Sequence, residues 1–169
     1  MKRPLQKRSD GLGKESPSDN RSPKELQSIV LNYLHERFGL HHSKFENFGF
    51  YMASKGRLYL GPKKLPVGPE IVSVGLLIGR LHQAVKPSTN LLQLFGSQVS
   101  KNFVEFQKEQ VISYAKGEDV RLIEGQMTNS SPGYVLLKYG KTSLGCGLLQ
   151  VGVVKNMLPK AKRLELKYL

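Results

Sequence analysis

The densest group of residues able to do chemistry is cationic. From position 153 onward, Lys155, Lys160, Lys162, Arg163 and Lys167 stand against one acid, Glu165. Ammonium and guanidinium groups so spaced pair with phosphate oxygens, and Asn156 among them can fix register or touch a base. Pro159 lacks an N–H and prevents a long helix, so the charges are expected on a loop feeding a final strand over 163–169. Met157 and Leu158, interleaved with them, are expected to anchor that loop. Lys116-Gly117-Glu118-Asp119 forms a second candidate, following a short helix. Its glycine permits a left-handed turn and close backbone approach, which suits either a phosphate-facing loop or a simple helix C-cap.

Other chemistries find little support. His35, His41, His42 and His82 bring no cysteine or acidic cluster with them, and His41-His42 is adjacent rather than one helical turn apart. A zinc site needs three or four converging ligands, so no metal is expected. The chain has no nucleophile elbow, no phosphate-binding P-loop and no dinucleotide fingerprint after a strand. Cys146, flanked by Gly145 and Gly147, reads as a structural residue within a strand. The expectation is a non-enzymatic protein without cofactor.

The elements that must position these groups fall into two textures. Ser22-Pro23-Lys24-Glu25 is a capping-box start, and Leu26, Ile29, Val30, Tyr33, Leu34 and Phe38 recur at helical spacing up to Gly39. Next come expected strands over 45–53 and 57–60 joined at Ser54-Lys55-Gly56, a buried strand over 71–81, and one or two helical turns at 91–95. The second half reads as a strand over 104–106 and a short helix over 107–115 with Val111, Ile112 and Tyr114 inward. Strands over 120–123, 134–139 and 142–154 follow; the last carries Gly145, Gly147 and Gly152 and so must bend, bulge or break. Short strands this closely spaced suggest a small barrel or partly open sandwich.

Composition sets the wider limits. Lys and Arg number 26 against 13 Asp and Glu, leaving +13 and a pI near 9.9. That excess concerns partners more than fold and favours a polyanion, with nucleic acid ahead of an anionic membrane surface. A single cysteine excludes an intramolecular disulfide and suits a reducing compartment. The longest mainly apolar run, 71–81, is too short to span a bilayer. Positions 1–22 carry six basic and three acidic residues with few bulky aliphatics, and read as a disordered basic tail.

Taken in order, Tyr114-Ala115-Lys116-Gly117-Glu118-Asp119, Gly133-Tyr134-Val135-Leu136, Leu144-Gly145-Cys146-Gly147, Lys155-Asn156 and Pro159-Lys160 before Arg163 resemble a known module. It is the PUA-like RNA-binding module at the C-terminus of RsmF-type and Sun-type rRNA cytosine methyltransferases. Cys146 stands where that family usually carries an aromatic residue. The two-part plan, with Ser73-Val74-Gly75-Leu76-Leu77-Ile78-Gly79 in its first half, also resembles the small ribosome-biogenesis factors of the Nip-seven type. The methyltransferase relatives keep their chemistry in a separate catalytic domain with two active cysteines, and neither is expected in these 169 residues with one Cys. The resemblance implies an α+β chain in which the tail at 1–22 precedes a small N-terminal α/β (pre-PUA) domain at 23–98. A C-terminal PUA-like mixed β-barrel follows at 99–169. It further implies binding of RNA, rRNA above all, through Lys116, Gly117, Lys155, Asn156, Lys160, Lys162 and Arg163. The expected setting is rRNA processing, modification or ribosome assembly, in the cytoplasm, or in the nucleolus of a eukaryote. Ribosomal precursor particles or an RNA-modifying enzyme are the expected partners, and a membrane is not. Two alternatives are the RNA-recognition subunit of a separately encoded rRNA or tRNA methyltransferase and a protein-interaction scaffold with a basic surface.

Overall fold

The structure, a computed structural model, describes residues 21–64, 75–128 and 130–164. Most of the basic tail expected at 1–22 lies outside them. So do the first part of the strand expected over 71–81 and positions 165–169 of the expected final strand. Its first two positions, Arg163 and Leu164, are not in a strand; Leu164 instead donates its N–H to the carbonyl of Ala115 (2.9 Å).

Helix α1, Pro23–Phe38, begins as its sequence requires. Ser22 Oγ accepts the Glu25 N–H while the Glu25 carboxylate accepts the Ser22 N–H, and Pro23 occupies the first turn. Gly39 closes it in the left-handed conformation (φ 71°), donating to His35 O. Leu26, Val30, Leu34 and Phe38 are buried, with Ile29 and Tyr33 packed beside them. Phe45, expected in a strand, lies in a 3-10 turn, His42–Phe45, and is buried. An antiparallel meander follows: β1 (Phe48–Ala53), β2 (Arg57–Pro62), β3 (Leu76–Leu81) and β4 (Val85–Pro87), in the order β1-β2-β3-β4. The β1–β2 turn is made by Lys55 and Gly56, both at positive φ. Strand β4 is missed by the sequence reading because Pro87 signals a break, yet a proline is tolerated at the end of an edge strand. Helix α2, Thr89–Phe95, capped by Ser88 Oγ, lays Leu91, Leu92 and Phe95 into the same core.

The second sheet runs β5-β7-β8-β9-β6, with β5 (Phe103–Glu105), β6 (Val120–Arg121), β7 (Gly133–Tyr139), β8 (Thr142–Gln150) and β9 (Val153–Asn156). Only the β5–β7 pairing is parallel, so the curled half-barrel is mixed. The expected strand over 142–154 breaks at Val151-Gly152 into the β8–β9 hairpin. Helix α3, Lys108–Lys116, buries Tyr114, with Val111 packed beside it; Ile112, expected inward, is exposed.

The middle of β7 is apolar on both faces. Leu136 and the opposing Cys146 join the core of α1, α2 and the first sheet. Val135, Leu137, Leu149 and Val154 line the half-barrel's interior with Tyr114 and Phe106. Gly147 admits this closeness, because a Cβ there would lie 2.4 Å from Val154. The open seam between the edge strands β5 and β6 is bridged by two side-chain amides. Gln126 Nε2 donates to Glu105 O (2.7 Å), Gln110 Nε2 donates to Arg121 O (3.0 Å), and the two amides pair with each other. No helix among the described residues is long and apolar enough to cross a membrane.

Candidate nucleic-acid interface

The two sequence-derived basic motifs meet in space. Helix α3 ends at Gly117, left-handed at φ 92°, which donates to Ser113 O and Tyr114 O. Arg163 lies across that glycine: a Cβ at position 117 would come within 2.5 Å of Arg163 Cδ and 2.7 Å of its Nε and Nη1. Arg163 Nε donates to Leu158 O (3.1 Å), and the Leu164–Ala115 backbone bond completes the docking. The glycine therefore serves both as cap and as the place where the basic segment crosses.

Asn156 is the hinge of this arrangement. Its Nδ2 donates to Tyr114 O (2.8 Å) and Glu118 O (3.0 Å), its Oδ1 accepts the Leu158 N–H (2.9 Å), and its own N–H goes to Asp119 Oδ1 (2.8 Å). With its amide spent on the protein, Asn156 positions the loop rather than presenting a free edge to a base. Lys155 is in β9 rather than on the loop, and its Nζ sits 2.7 Å from Asp119 Oδ2 with both side chains about half exposed (50 % and 43 %). The Lys155 ammonium and the Asn156 N–H hold the Asp119 carboxyl below the usual carboxylate range. Leu158 is buried and anchors the segment as expected; Met157 is exposed.

Lys160–Lys162 form a single 3-10 turn whose three side chains are exposed. Lys162 Nζ reaches across to α2, 2.6 Å from Asn90 Oδ1 and 3.0 Å from Gln93 Oε1. Neither acceptor is charged, so the ammonium keeps its full charge at the surface. Lys160 and the half-buried Lys116 have no hydrogen-bond or ion-pair partner among the described residues. Around the end of α3, Lys116, Lys160, Lys162 and Arg163 therefore present charge that no acid among the described residues pairs, while Lys155 is partly neutralised. Asn90 and Gln93 are parts of the site that the sequence reading missed, and Asp119, inside the second candidate motif, had no role assigned to it. Asp119 alone carried a signal, being next to the Lys116-Gly117 turn.

Below this surface Tyr114 donates its hydroxyl to Cys146 O (2.9 Å) and touches the space over Gly145. Burial holds the Tyr114 phenol protonated well above the ordinary tyrosine range and pushes the Cys146 thiol up to about 12. Cys146 is thus a neutral, inaccessible core thiol. His35, His41 and His42 gather at the end of α1 with ring centroids 5.8–6.2 Å apart. Among the described residues no group of three or more His, Cys, Asp or Glu is arranged to hold a metal ion.

Residues 101–164 match the family model described as the methyltransferase RsmF PUA domain, which covers less than half of the chain. Compared with the curated proteins, the chain has no match. The matched span contains α3, the whole curled sheet and the basic turn. It resembles the C-terminal module of RsmF, and a PUA domain of this family points to RNA as the ligand.

Proposed function

We propose that this chain is a non-catalytic RNA-binding factor acting on rRNA during processing, modification or ribosome assembly. One arrangement supports the reading: within the PUA-matching span, Lys116, Lys160, Lys162 and Arg163 surround the Gly117 turn with no acid pairing them among the described residues. Arg163 and Lys162 are held by neutral acceptors and so are pre-oriented, whereas Lys160 and Lys116 stay free to follow a phosphate backbone. Asn156 and Asp119 hold the loop in place. Affinity then comes mainly from phosphate neutralisation and falls steeply with salt. Binding to rRNA fragments tests this with a Lys160→Ala/Lys162→Ala/Arg163→Ala variant. A weaker affinity and a shallower salt slope are expected; an unchanged slope refutes the site. The protein's place of action is the cytoplasm, or the nucleolus of a eukaryote, which fluorescent tagging checks.

A second reading draws on the family's name. A PUA module similar to that of a methyltransferase suits a recognition subunit that delivers RNA to a separately encoded methyltransferase. Affinity purification followed by nuclease treatment separates the two: a methyltransferase retained after RNA digestion favours the subunit, and ribosomal precursor particles released by digestion favour the free-standing factor.

A further inference from the structure

The first sheet carries a cationic row that the PUA-like module does not account for. In register across three adjacent strands stand Arg57 of β2, Arg80 of β3 and Lys86 of β4, paired Arg57 to Arg80 and Arg80 to Lys86. Directly opposed residues share a face, and like charges so opposed are destabilising. Arg80 and Lys86 are exposed, whereas Ile78, Leu81, Val85 and Leu58 point the other way into the core. No residue of the four strands is acidic. Arg57 is held by the carbonyl and hydroxyl of Ser54 (3.2 and 3.1 Å), and Arg80 and Lys86 have no partner among the described residues. The fold therefore keeps three adjacent cations on one sheet face at some cost to its own stability.

Next to that row, on the same face, Tyr51 and Tyr59 are directly paired across β1 and β2, both half-buried. The Tyr51 hydroxyl donates to Pro62 O (2.5 Å), and a Cβ on Gly49 would lie 2.7 Å from that hydroxyl and 3.0 Å from the ring's Cε2. The ring is thus laid down along the strand, over a glycine that leaves room for it. Two half-buried tyrosines beside a row of cations that no acid among the described residues pairs are the combination that accepts single-stranded nucleic acid, with bases stacked on the rings and phosphates on the charges.

We infer that the outer face of the β1–β4 sheet is a second RNA-contacting surface, selective for single strands. It takes unpaired nucleotides flanking the element held at the Gly117 turn. The inference rests on RNA being the ligand, and it adds a site outside the span that matches the PUA model. The two surfaces are tied by α2: four residues after Lys86, Asn90 accepts the Lys162 ammonium.

The test uses the full chain and a labelled uridine-rich oligoribonucleotide of about a dozen nucleotides, compared with the same length folded as a hairpin. In Arg80→Ala/Lys86→Ala, affinity for the single strand should fall, and the salt slope should shrink by about 0.7 for each phosphate that is no longer neutralised. Thermal stability should hold or rise, because the opposed charges are gone; a merely structural role would give the reverse pattern. Tyr59→Ala should lose roughly tenfold in affinity and Tyr59→Phe should retain it, since a ring is what stacks. If both Ala variants bind as the wild type does while Lys160→Glu/Lys162→Glu fails, the second surface is refuted and the first stands. If the wild type binds neither RNA, both readings fall. Should Arg80→Ala/Lys86→Ala lose binding to vesicles of anionic phospholipid but not to RNA, the sheet face belongs to a membrane and the inference is overturned.

Discussion

Val151 sits at the tip of the β8–β9 hairpin, 96 % exposed and at φ 32°, with Gly152 following at φ 74°. Two positive φ values are what a tight hairpin of this hand demands, and a β-branched side chain is poorly suited to the first of them. Val151→Asn keeps the turn and removes the strain, so it should raise stability by about 1 kcal/mol, read as an increase in Tm. Asp119 raises a different issue at the same scale. Its carboxylate accepts the Asn156 N–H and also draws off the charge of Lys155. Asp119→Asn keeps an oxygen for the backbone bond and releases the ammonium. RNA affinity at low salt should therefore rise, with a steeper salt dependence, while stability changes little, as exposed ion pairs contribute about 0–1 kcal/mol. The pH signature follows from the lowered pKa: the contribution is present above the ordinary carboxylate range and is lost as pH falls through the folded-state value. Acid titration of wild type and variant, followed by circular dichroism, should show a small wild-type advantage above that range that vanishes on the acid limb, where the two converge.

The seam between β5 and β6 shows how an element is completed by side chains. Gln110 and Gln126 exchange amide hydrogen bonds and cap Glu105 O and Arg121 O, and they also accept the Gln107 and Ile123 N–H groups. Gln126→Ala orphans several of these at once and should cost about 1–3 kcal/mol, with faster amide exchange at β5 and β6 than at β8. None of this was legible in the sequence, because two glutamines 16 positions apart carry no local signal of pairing. What was legible obeys short-range rules. The capping box of α1, the Gly39 and Gly117 stops and the Lys55-Gly56 turn each depend on residues within one turn of each other. The β8–β9 break was foreseen only as one of three outcomes for a glycine-rich strand. The Lys116-Gly117 and 155–163 motifs were named as a site, yet their contact through Arg163 is long-range, and the engagement of the Asn156 amide could only be seen folded. The aromatic and cationic rows of the first sheet were equally hidden, since cross-strand register decides which residues share a face.

At the scale of the molecule, the two sheets are joined by more than a linker. Leu136 and Cys146 from β7 and β8 are wholly buried in a core otherwise built by α1, α2 and the first sheet. Arg37 at the end of α1 donates to Tyr134 O (2.7 Å), Ser131 O (2.7 Å) and Ser131 Oγ (2.8 Å), and Asn102 ties Arg37 O to the Ser131 N–H. Cutting the chain before the matched span would bare the Leu136–Cys146 face and leave the Arg37 acceptors to water. The full chain should therefore unfold in one transition, and an isolated 99–169 fragment should be less stable and self-associate through that face. Leu136→Ala in the full chain should cost about 2–5 kcal/mol, since the cavity lies where both halves meet. In denaturant, signals from the two halves should shift together. Two separated transitions, or an isolated fragment as stable as the whole, would show that the shared core does not couple them. The thiol offers an independent reading. Cys146 should resist alkylation in the native chain and react at the rate of global unfolding. A fragment that exposes it should be labelled at once.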